Sequence, residues 1–208
     1  ANRLGGATPA IQKINYDKFI EGLQADGTAD TDLLATYEHQ DDLFSLLQQD
    51  GQVSHTEYEL NLTTANNKAL GNDISGDASG LDGYIQMDQS ASWHYYYGSE
   101  SMNAHQYDFT SVMLHEIGHN LGFISGIDTL NSTPLPTALD MFRYSSESAA
   151  LGAVDYRIGG ETYFSIDGGE TAFSAPGTDT EARFSTGRNT ALGGDGDQAS
   201  HWQFGHDP

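Results

Sequence analysis

Hydrophobic and polar positions along this 208-residue chain follow two different periods. In residues 15–26, and again in residues 32–49, apolar side chains recur at the three- and four-residue spacing of a helix, so both segments are predicted to be helical. Between residues 52 and 62 apolar and polar residues alternate, which predicts the first clear strand of the chain. A short helix is expected to begin at Thr63 or Thr64.

The strongest helical pattern covers residues 107–123, where Asp108 is a candidate N-cap. A short strand is predicted just before it, at residues 84–87, and its polar residues between apolar ones are typical of an edge strand. We expect burial of the apolar positions on the long helix, which are Val112, Met113, Ile117 and Leu121.

The chain beyond residue 124 is rich in Gly, Ser and Thr, with strand-like pieces at residues 153–158, 161–166 and 181–185. No internal repeat and no linker divides the sequence. The elements therefore predict a single domain of the α+β class, with a loop- and strand-rich C-terminal part.

Charge and composition restrict the function. Asp and Glu number 30 against 8 Lys and Arg, giving a formal net charge of −22, so nucleic acids and anionic membrane surfaces are excluded as expected partners. With 37% hydrophobic and 11% aromatic residues the chain can still bury a core. The absence of cysteine means that a metal site must use His and carboxylate ligands.

The long helix contains His115-Glu116-Ile117-Gly118-His119, an H-E-x-x-H motif. Residues four apart lie on the same helical face, so the two imidazoles can bind one Zn²⁺. Glu116 lies beside them as the predicted general base, which takes a proton from water activated by the metal. The motif predicts a zinc-dependent endopeptidase.

The extended sequence HEIGHNLGF resembles the zinc-peptidase clan called metzincins, in which a glycine such as Gly122 ends the helix. Ser125 stands where most of these enzymes have a third histidine. The leishmanolysin-like branch is more similar, because there a long insertion precedes a third His followed by Trp, as in His201-Trp202. The resemblance implies a metzincin-like fold with a small mixed sheet, and zinc bound by His115, His119 and His201.

The sequence is also similar to a group of secreted bacterial metallopeptidases over about residues 60–208. This implies a single catalytic domain, with an N-terminal sub-domain of about residues 1–124 and a C-terminal one of about 125–208. It also implies a secreted, extracellular protein. We therefore expect that a leader is already absent, since the first residues lack the order of a signal peptide. One departure from the metzincin pattern is that all four methionines precede His201, so no Met-turn follows it.

A catalytic zinc needs three protein ligands, and the residues alone leave alternatives to His201 open. Glu147 would serve if residues 144–151 formed a helix facing the H-E-x-x-H helix. His39 and His55 are expected at the surface. His94 and His105 are expected either at the surface or along a substrate cleft. The further candidate ligands are Asp128, Asp140 and His206.

Further expectations concern calcium and the substrate. Gly- and Asp-rich segments at residues 76–83, 165–170 and 193–198 allow a structural Ca²⁺, although solvated acidic loops are the default.

The substrate is expected to be a peptide or protein, which pairs with the edge strand and enters an acidic cleft. Tyr144 is one candidate for polarising its carbonyl. A monomer is the default, and the alternative function is a non-catalytic secreted binding domain on a degenerate peptidase scaffold.

Overall fold

A computed structural model describes residues 4–26, 44–56, 59–72, 80–95, 101–129, 135–174 and 179–203. Within these ranges the protein is a mixed α+β fold with small sheets and four helices, as the sequence predicts for the fold class. The helices are α1 (Tyr16–Asp26), α2 (Thr64–Ala69), α3 (Phe109–Asn120) and α4 (Ser146–Ala150). The strands are β1 (Gly5–Pro9), β2 (Ile11–Asn15), β3 (Phe44–Leu47), β4 (Val53–Thr56), β5 (Glu59–Thr63), β6 (Gly83–Met87), β7 (Trp93–His94), β8 (Tyr107–Asp108), β9 (Arg143–Tyr144), β10 (Val154–Asp155), β11 (Thr162–Phe164) and β12 (Arg183–Phe184).

The strands form five small sheets in the described part of the chain. The pairs β1–β6 and β2–β5 are antiparallel, and β7–β8 is parallel. In the first three-stranded sheet, β3 lies between β10, which is parallel to it, and β4, which is antiparallel. In the second, β11 lies between β12 and β9.

Helices α1, α2 and α3 confirm the predictions made from periodicity. Thr63 caps α2, because its hydroxyl accepts a hydrogen bond from the backbone N–H of Asn66 at 3.1 Å. The strand-like pieces of the C-terminal region are confirmed as β10, β11 and β12, and the short strand before α3 is confirmed as β6.

The predicted helix over residues 32–49 is wrong where the structure describes it. Residues 44–47 form the strand β3, while residues 32–43 lie outside the described part of the chain. Phe44, Leu46 and Leu47 are all buried, because β3 is the central strand of its sheet and is covered on both faces. Such a strand carries a nearly continuous apolar run, which periodicity alone does not distinguish from a buried helix.

The prediction that the first clear strand begins at residue 52 is also wrong. Strands β1 and β2 precede it, and the segment predicted as one strand contains β4 and β5, which pair with different partners. The sequence of β1, GGATP, is poor in strand-forming residues, so no local pattern indicates it. Pairing with β6, in which Gly5 lies opposite Met87, holds it as a strand.

Helix α3 contacts β1 and β6 through one face. That contact leaves Val112 and Met113 partly buried, whereas Ile117 and Leu121 are 37% and 61% exposed, so the expectation that all four would be buried is wrong. None of the described helices could span a lipid bilayer. The main core brings together residues of both sequence halves, including Phe19, Phe44, Leu60, Leu62, Ile127, Met141, Tyr144, Val154, Tyr156 and Ala199.

Candidate metal centre

Two histidines of helix α3 lie one turn apart on the same face. The Nε2 atoms of His115 and His119 are 3.0 Å apart, and their rings meet nearly edge to face. The carboxylate of Asp108 caps this helix by accepting a hydrogen bond from the backbone N–H of Ser111 at 2.6 Å. That bond holds the pKa of Asp108 below its ordinary value.

His201 lies against this pair, although it follows His119 by 82 positions. Its Nε2 atom is 3.4 Å from Nε2 of His119, and its ring centre is 4.7 Å from that of His115. The carbonyl of His201 accepts a hydrogen bond from the backbone N–H of Ser185 at 2.8 Å. Among the described residues, these three histidines are the group of His and carboxylate side chains that could hold a metal ion.

The spacing of the nitrogens suits a small tetrahedral cation. Two nitrogens bound to one Zn²⁺ at about 2.0–2.1 Å are about 3.3 Å apart, close to both Nε2 separations measured from His119. Nδ1 of His119 lies 2.6 Å from the carbonyl oxygen of Phe123. A carbonyl only accepts hydrogen bonds, so Nδ1 carries the proton and Nε2 presents a lone pair.

Burial and mutual repulsion favour the neutral form of His115 and of His201. Burial lowers the pKa of His115, and a charge on His119 would lower it further. Burial, together with His115 and His119, lowers the pKa of His201 to about 4. Neutral imidazoles are the form that binds metal, so the lowered pKa values of His115 and His201 favour metal binding near neutral pH.

Glu116 lies beside the three histidines and is 6% exposed. Its Oε2 atom has no hydrogen-bond partner among the described residues. The carboxylate packs against the backbone of Gly5 in β1, where a Cβ would lie only 2.9 Å from Oε1. An unpaired buried carboxylate oxygen lowers stability, and a catalytic role is one explanation for such a group in a folded protein.

The group opens into a cleft of about 460 Å³. Gln198 lies at its edge, with Nε2 of its amide 2.9 Å from Nε2 of His201. Glu116 is the one carboxylate among the described lining residues, so the acidic cleft expected from the net charge is not found in the immediate lining. The lining residues are Leu4, Gly5, Ser111, Val112, His115, Glu116, Gln198 and His201.

The carboxylates considered as alternative third ligands lie outside this group. Asp128 accepts hydrogen bonds from the backbone N–H groups of Arg188 and Ala199. Asp140 is buried and accepts bonds from the backbone and side chains around it. Residues 146–150 do form a helix, but Glu147 is paired with Arg157 at 2.7 Å.

The remaining histidines and Tyr144 do not join the group where the structure describes them. His94 lies in β7, and His105 is exposed at a turn. His39, His206 and the side chain of His55 lie outside the described residues. Tyr144 is buried in the core, where burial raises its pKa to about 12, and it does not line the cleft.

In two of the three segments considered for calcium, one carboxylate already accepts hydrogen bonds from the protein. Asp167 accepts hydrogen bonds from the hydroxyls of Ser165 and Thr171 and from the N–H of Thr171. Asp195 accepts bonds from Ser185, from the N–H of Thr186 and from its own loop. Residues 76–79, half of the third segment, lie outside the described part of the chain.

Sequence reasoning missed three residues that shape the site. Gly5 gives room to Glu116, Phe123 fixes the tautomer of His119, and Gln198 contacts His201. Gln198 precedes His201 by three positions, but nothing in the sequence marks it as a cleft residue.

Comparison with models of protein families, with curated proteins and with solved structures gave no significant match.

Proposed function

We propose that this chain is a zinc-dependent endopeptidase, a hydrolase that cleaves peptide bonds within proteins. One observation carries the proposal: three imidazole nitrogens lie close enough to share one metal ion, and the cleft lined by His115 and His201 also contains Glu116, whose buried Oε2 has no hydrogen-bond partner among the described residues. A metal-binding domain without catalysis has no need for that carboxylate. The presence of Glu116 in the cleft therefore favours an enzyme over the alternative, a non-catalytic binding domain.

The donor set fits zinc and leaves room for catalysis. His115, His119 and His201 would hold the ion, and three protein ligands are the number found in catalytic rather than structural zinc sites. A bound zinc ion supplies Lewis acidity, which makes water nucleophilic near neutral pH and polarises a carbonyl group.

The chain's own residues then move the protons. Glu116 accepts one proton as the water oxygen adds to the carbonyl carbon of the peptide, and it passes that proton to the amide nitrogen as the C–N bond breaks. Phe123 keeps His119 in the tautomer whose Nε2 faces the site. The backbone of Gly5 covers one side of the Glu116 carboxylate and limits where it can turn.

Strand β6 supports the proposal that the substrate binds as an extended peptide. It pairs with β1 along one edge, and no described strand pairs with its other edge. A Cβ on Gly5 would meet both Met87, at the end of β6, and Glu116, so this strand ends beside the site. A peptide that added to the free edge of β6 would have its backbone aligned with the cleft.

We also propose that the protein is a metzincin-like peptidase of the leishmanolysin-like branch and that it acts outside the cell. The location rests on the resemblance of its sequence motifs to those of secreted bacterial metallopeptidases, since no curated protein matched. The branch is supported by the turn at Gly122, which has φ +115°, and by the distant His201 followed by Trp202.

The test is digestion of casein by Glu116→Gln. We expect that this variant keeps one zinc per chain while its kcat/KM falls about 10²- to 10⁴-fold, the usual contribution of a general base. Glu147→Gln is the matched control, because Glu147 is exposed and paired with Arg157; it should keep full activity. Undiminished digestion by Glu116→Gln, or zinc-free wild-type protein that is folded and active, would overturn the proposal.

A further inference from the structure

The backbone of Ala199 is held from both sides, two positions before His201. Its N–H donates to Oδ2 of Asp128 at 2.8 Å, and its carbonyl accepts from Nη1 of Arg143 at 2.9 Å. Ala199 itself is fully buried. The peptide groups next to the third histidine are therefore fixed by two charged side chains from distant parts of the sequence.

Asp128 connects this segment to the end of the H-E-x-x-H helix. It lies in a short 3₁₀ turn at Ile127–Thr129, eight positions after Asn120, and its neighbour Ile127 is fully buried. While Oδ2 binds Ala199, Oδ1 accepts the backbone N–H of Arg188 at 2.9 Å. One carboxylate thus holds both ends of residues 188–199, the segment that delivers His201.

Arg143 provides the opposite contact. Its side chain is 1% exposed, and Nη2 donates to the carbonyl of Ser185 at 3.0 Å while Nη1 binds Ala199. The N–H of Ser185 in turn donates to the carbonyl of His201. The guanidinium also lies 5.1 Å from the ring centre of Phe184. Arg143 therefore fixes both chain segments that flank the third histidine.

We propose that Asp128 and Arg143 are positioning residues that set the place of His201 relative to His115 and His119. The inference rests on the proposed function, because it concerns the metal affinity of the same three histidines. A ligand that is free to shift loses affinity even when the ligand itself is intact. Substituting groups that orient ligands typically lowers metal affinity about 10- to 100-fold.

The test uses Asp128→Asn, which keeps the shape of the side chain but turns one of its two acceptors into an NH₂ group. We expect zinc affinity, measured by competition with a chelator, to fall about 10- to 100-fold relative to wild type. The visible absorption of the Co²⁺-loaded protein should change as well, because it reports the geometry of the ligands. Circular dichroism and urea unfolding show whether the fold is kept.

Asp167→Asn is the matched control. Asp167 also accepts several hydrogen bonds within its loop, from Ser165 and Thr171, but it touches none of the segments around His201. It should lose stability while zinc affinity stays within about twofold, since no ligand-orienting bond is broken. A fall in affinity that merely followed stability in both variants would overturn the positioning role.

Arg143→Lys is the second variant, because lysine keeps the charge but does not reach both carbonyls with a planar fork. His201→Ala, measured in parallel, separates the two hypotheses. If His201→Ala loses zinc affinity and both Asp128→Asn and Arg143→Lys retain it within twofold, the positioning role is wrong and the three-histidine site stands. If His201→Ala binds zinc as tightly as wild type, the three-histidine site itself is wrong.

Discussion

Nδ1 of His119 lies 2.6 Å from the carbonyl oxygen of Phe123, to which it donates a hydrogen bond. This contact exists because helix α3 ends at Asn120 and Gly122 turns the chain back, so that the Phe123 carbonyl faces the helix's own second histidine. Asn66 supports the same turn by donating its Nδ2 hydrogen to the carbonyl of Leu121 at 2.8 Å. The end of the helix is thus part of the candidate metal centre.

Gly122→Ala should therefore damage both stability and metal binding. Gly122 has φ +115°, which side chains rarely adopt, and a Cβ would collide with Oδ1 of Asn66. We expect the free energy of unfolding to fall by about 2–4 kcal/mol, from backbone strain and steric overlap together. Urea denaturation measures this loss.

Gly51→Ala is the control for that variant. Gly51 has φ +77°, but nothing lies within 4 Å of the position of its Cβ. Its cost should be about 1 kcal/mol, from the left-handed backbone alone. Equal losses in the two variants would show that the contact between Gly122 and Asn66 is unimportant.

Removing zinc should lower thermal stability, because zinc bound by the three histidines stabilises the folded state. A ligand that binds only the folded state at a free concentration 1,000-fold above its Kd stabilises by about 4 kcal/mol. Adding EDTA should therefore lower the Tm of the wild type, and His201→Ala should show a much smaller change. His105→Ala, which removes an exposed histidine, should respond like the wild type. A chelator effect that is equal in all three proteins would contradict the assignment.

The stability of the C-terminal loops should depend on the charge of Asp195. Burial acts to raise the pKa of this carboxyl, but hydrogen bonds from Thr186, Ser185 and Asp197 outweigh it and hold the pKa below its ordinary value. A carboxyl with a depressed pKa in the folded state stabilises the fold above its unfolded pKa of about 3.9, and this contribution is lost as pH falls through the folded value.

Asp195→Asn tests this pH dependence. The difference in unfolding free energy between wild type and variant should be largest near pH 6 and should shrink towards pH 3. Urea unfolding at a series of pH values measures it, with Glu170→Gln as an exposed carboxylate control. A difference that stays constant over this range would mean that the charge of Asp195 contributes nothing.

Trp202 should link the core of the C-terminal part to the site. Its ring stacks on Phe184 with centres 5.0 Å apart and contacts Phe123 at 5.3 Å. Because Trp202 is partly exposed, we expect Trp202→Ala to cost about 2–3 kcal/mol, less than a fully buried aromatic residue. Zinc affinity should fall as well, since His201 is the adjacent residue.

Trp202→Phe is the conservative variant. Phenylalanine keeps an aromatic ring in contact with Phe184 and Phe123, so most of the stability and the zinc affinity should return. Calorimetry and chelator competition measure the two quantities. Failure of this variant to recover either would show that the ring contacts are not what holds His201.

The parts of the molecule that were predicted correctly are those encoded locally. Asp108, at the start of helix α3, and the spacing of His115 and His119 lie within 12 residues of each other, and both depend on backbone geometry that a short sequence determines. The helix predicted across strand β3 is wrong because the burial of this strand on both faces depends on β10, more than 100 positions away. Strand β1 depends in the same way on β6.

The site shows the same division. The His115–Glu116–His119 unit can be read from five consecutive residues, whereas the approach of His201 depends on contacts far apart in sequence. The hydrogen bond that Ala199 donates to Asp128 spans 71 positions, and the one that it accepts from Arg143 spans 56. No periodic pattern in the sequence indicates such long-range bonds. The prediction of His201 therefore depends on the resemblance of the Ser200-His201-Trp202 segment to leishmanolysin-like peptidases rather than on geometry.

An anomalous-scattering map tests the binding of zinc by three histidines most directly. It is recorded on either side of the zinc absorption edge from crystals of the zinc-loaded protein. We expect a strong peak that vanishes below the edge and lies within about 2.0–2.1 Å of Nε2 of His115, His119 and His201. A zinc peak bound elsewhere, or one that lacks the nitrogen of His201, would contradict it.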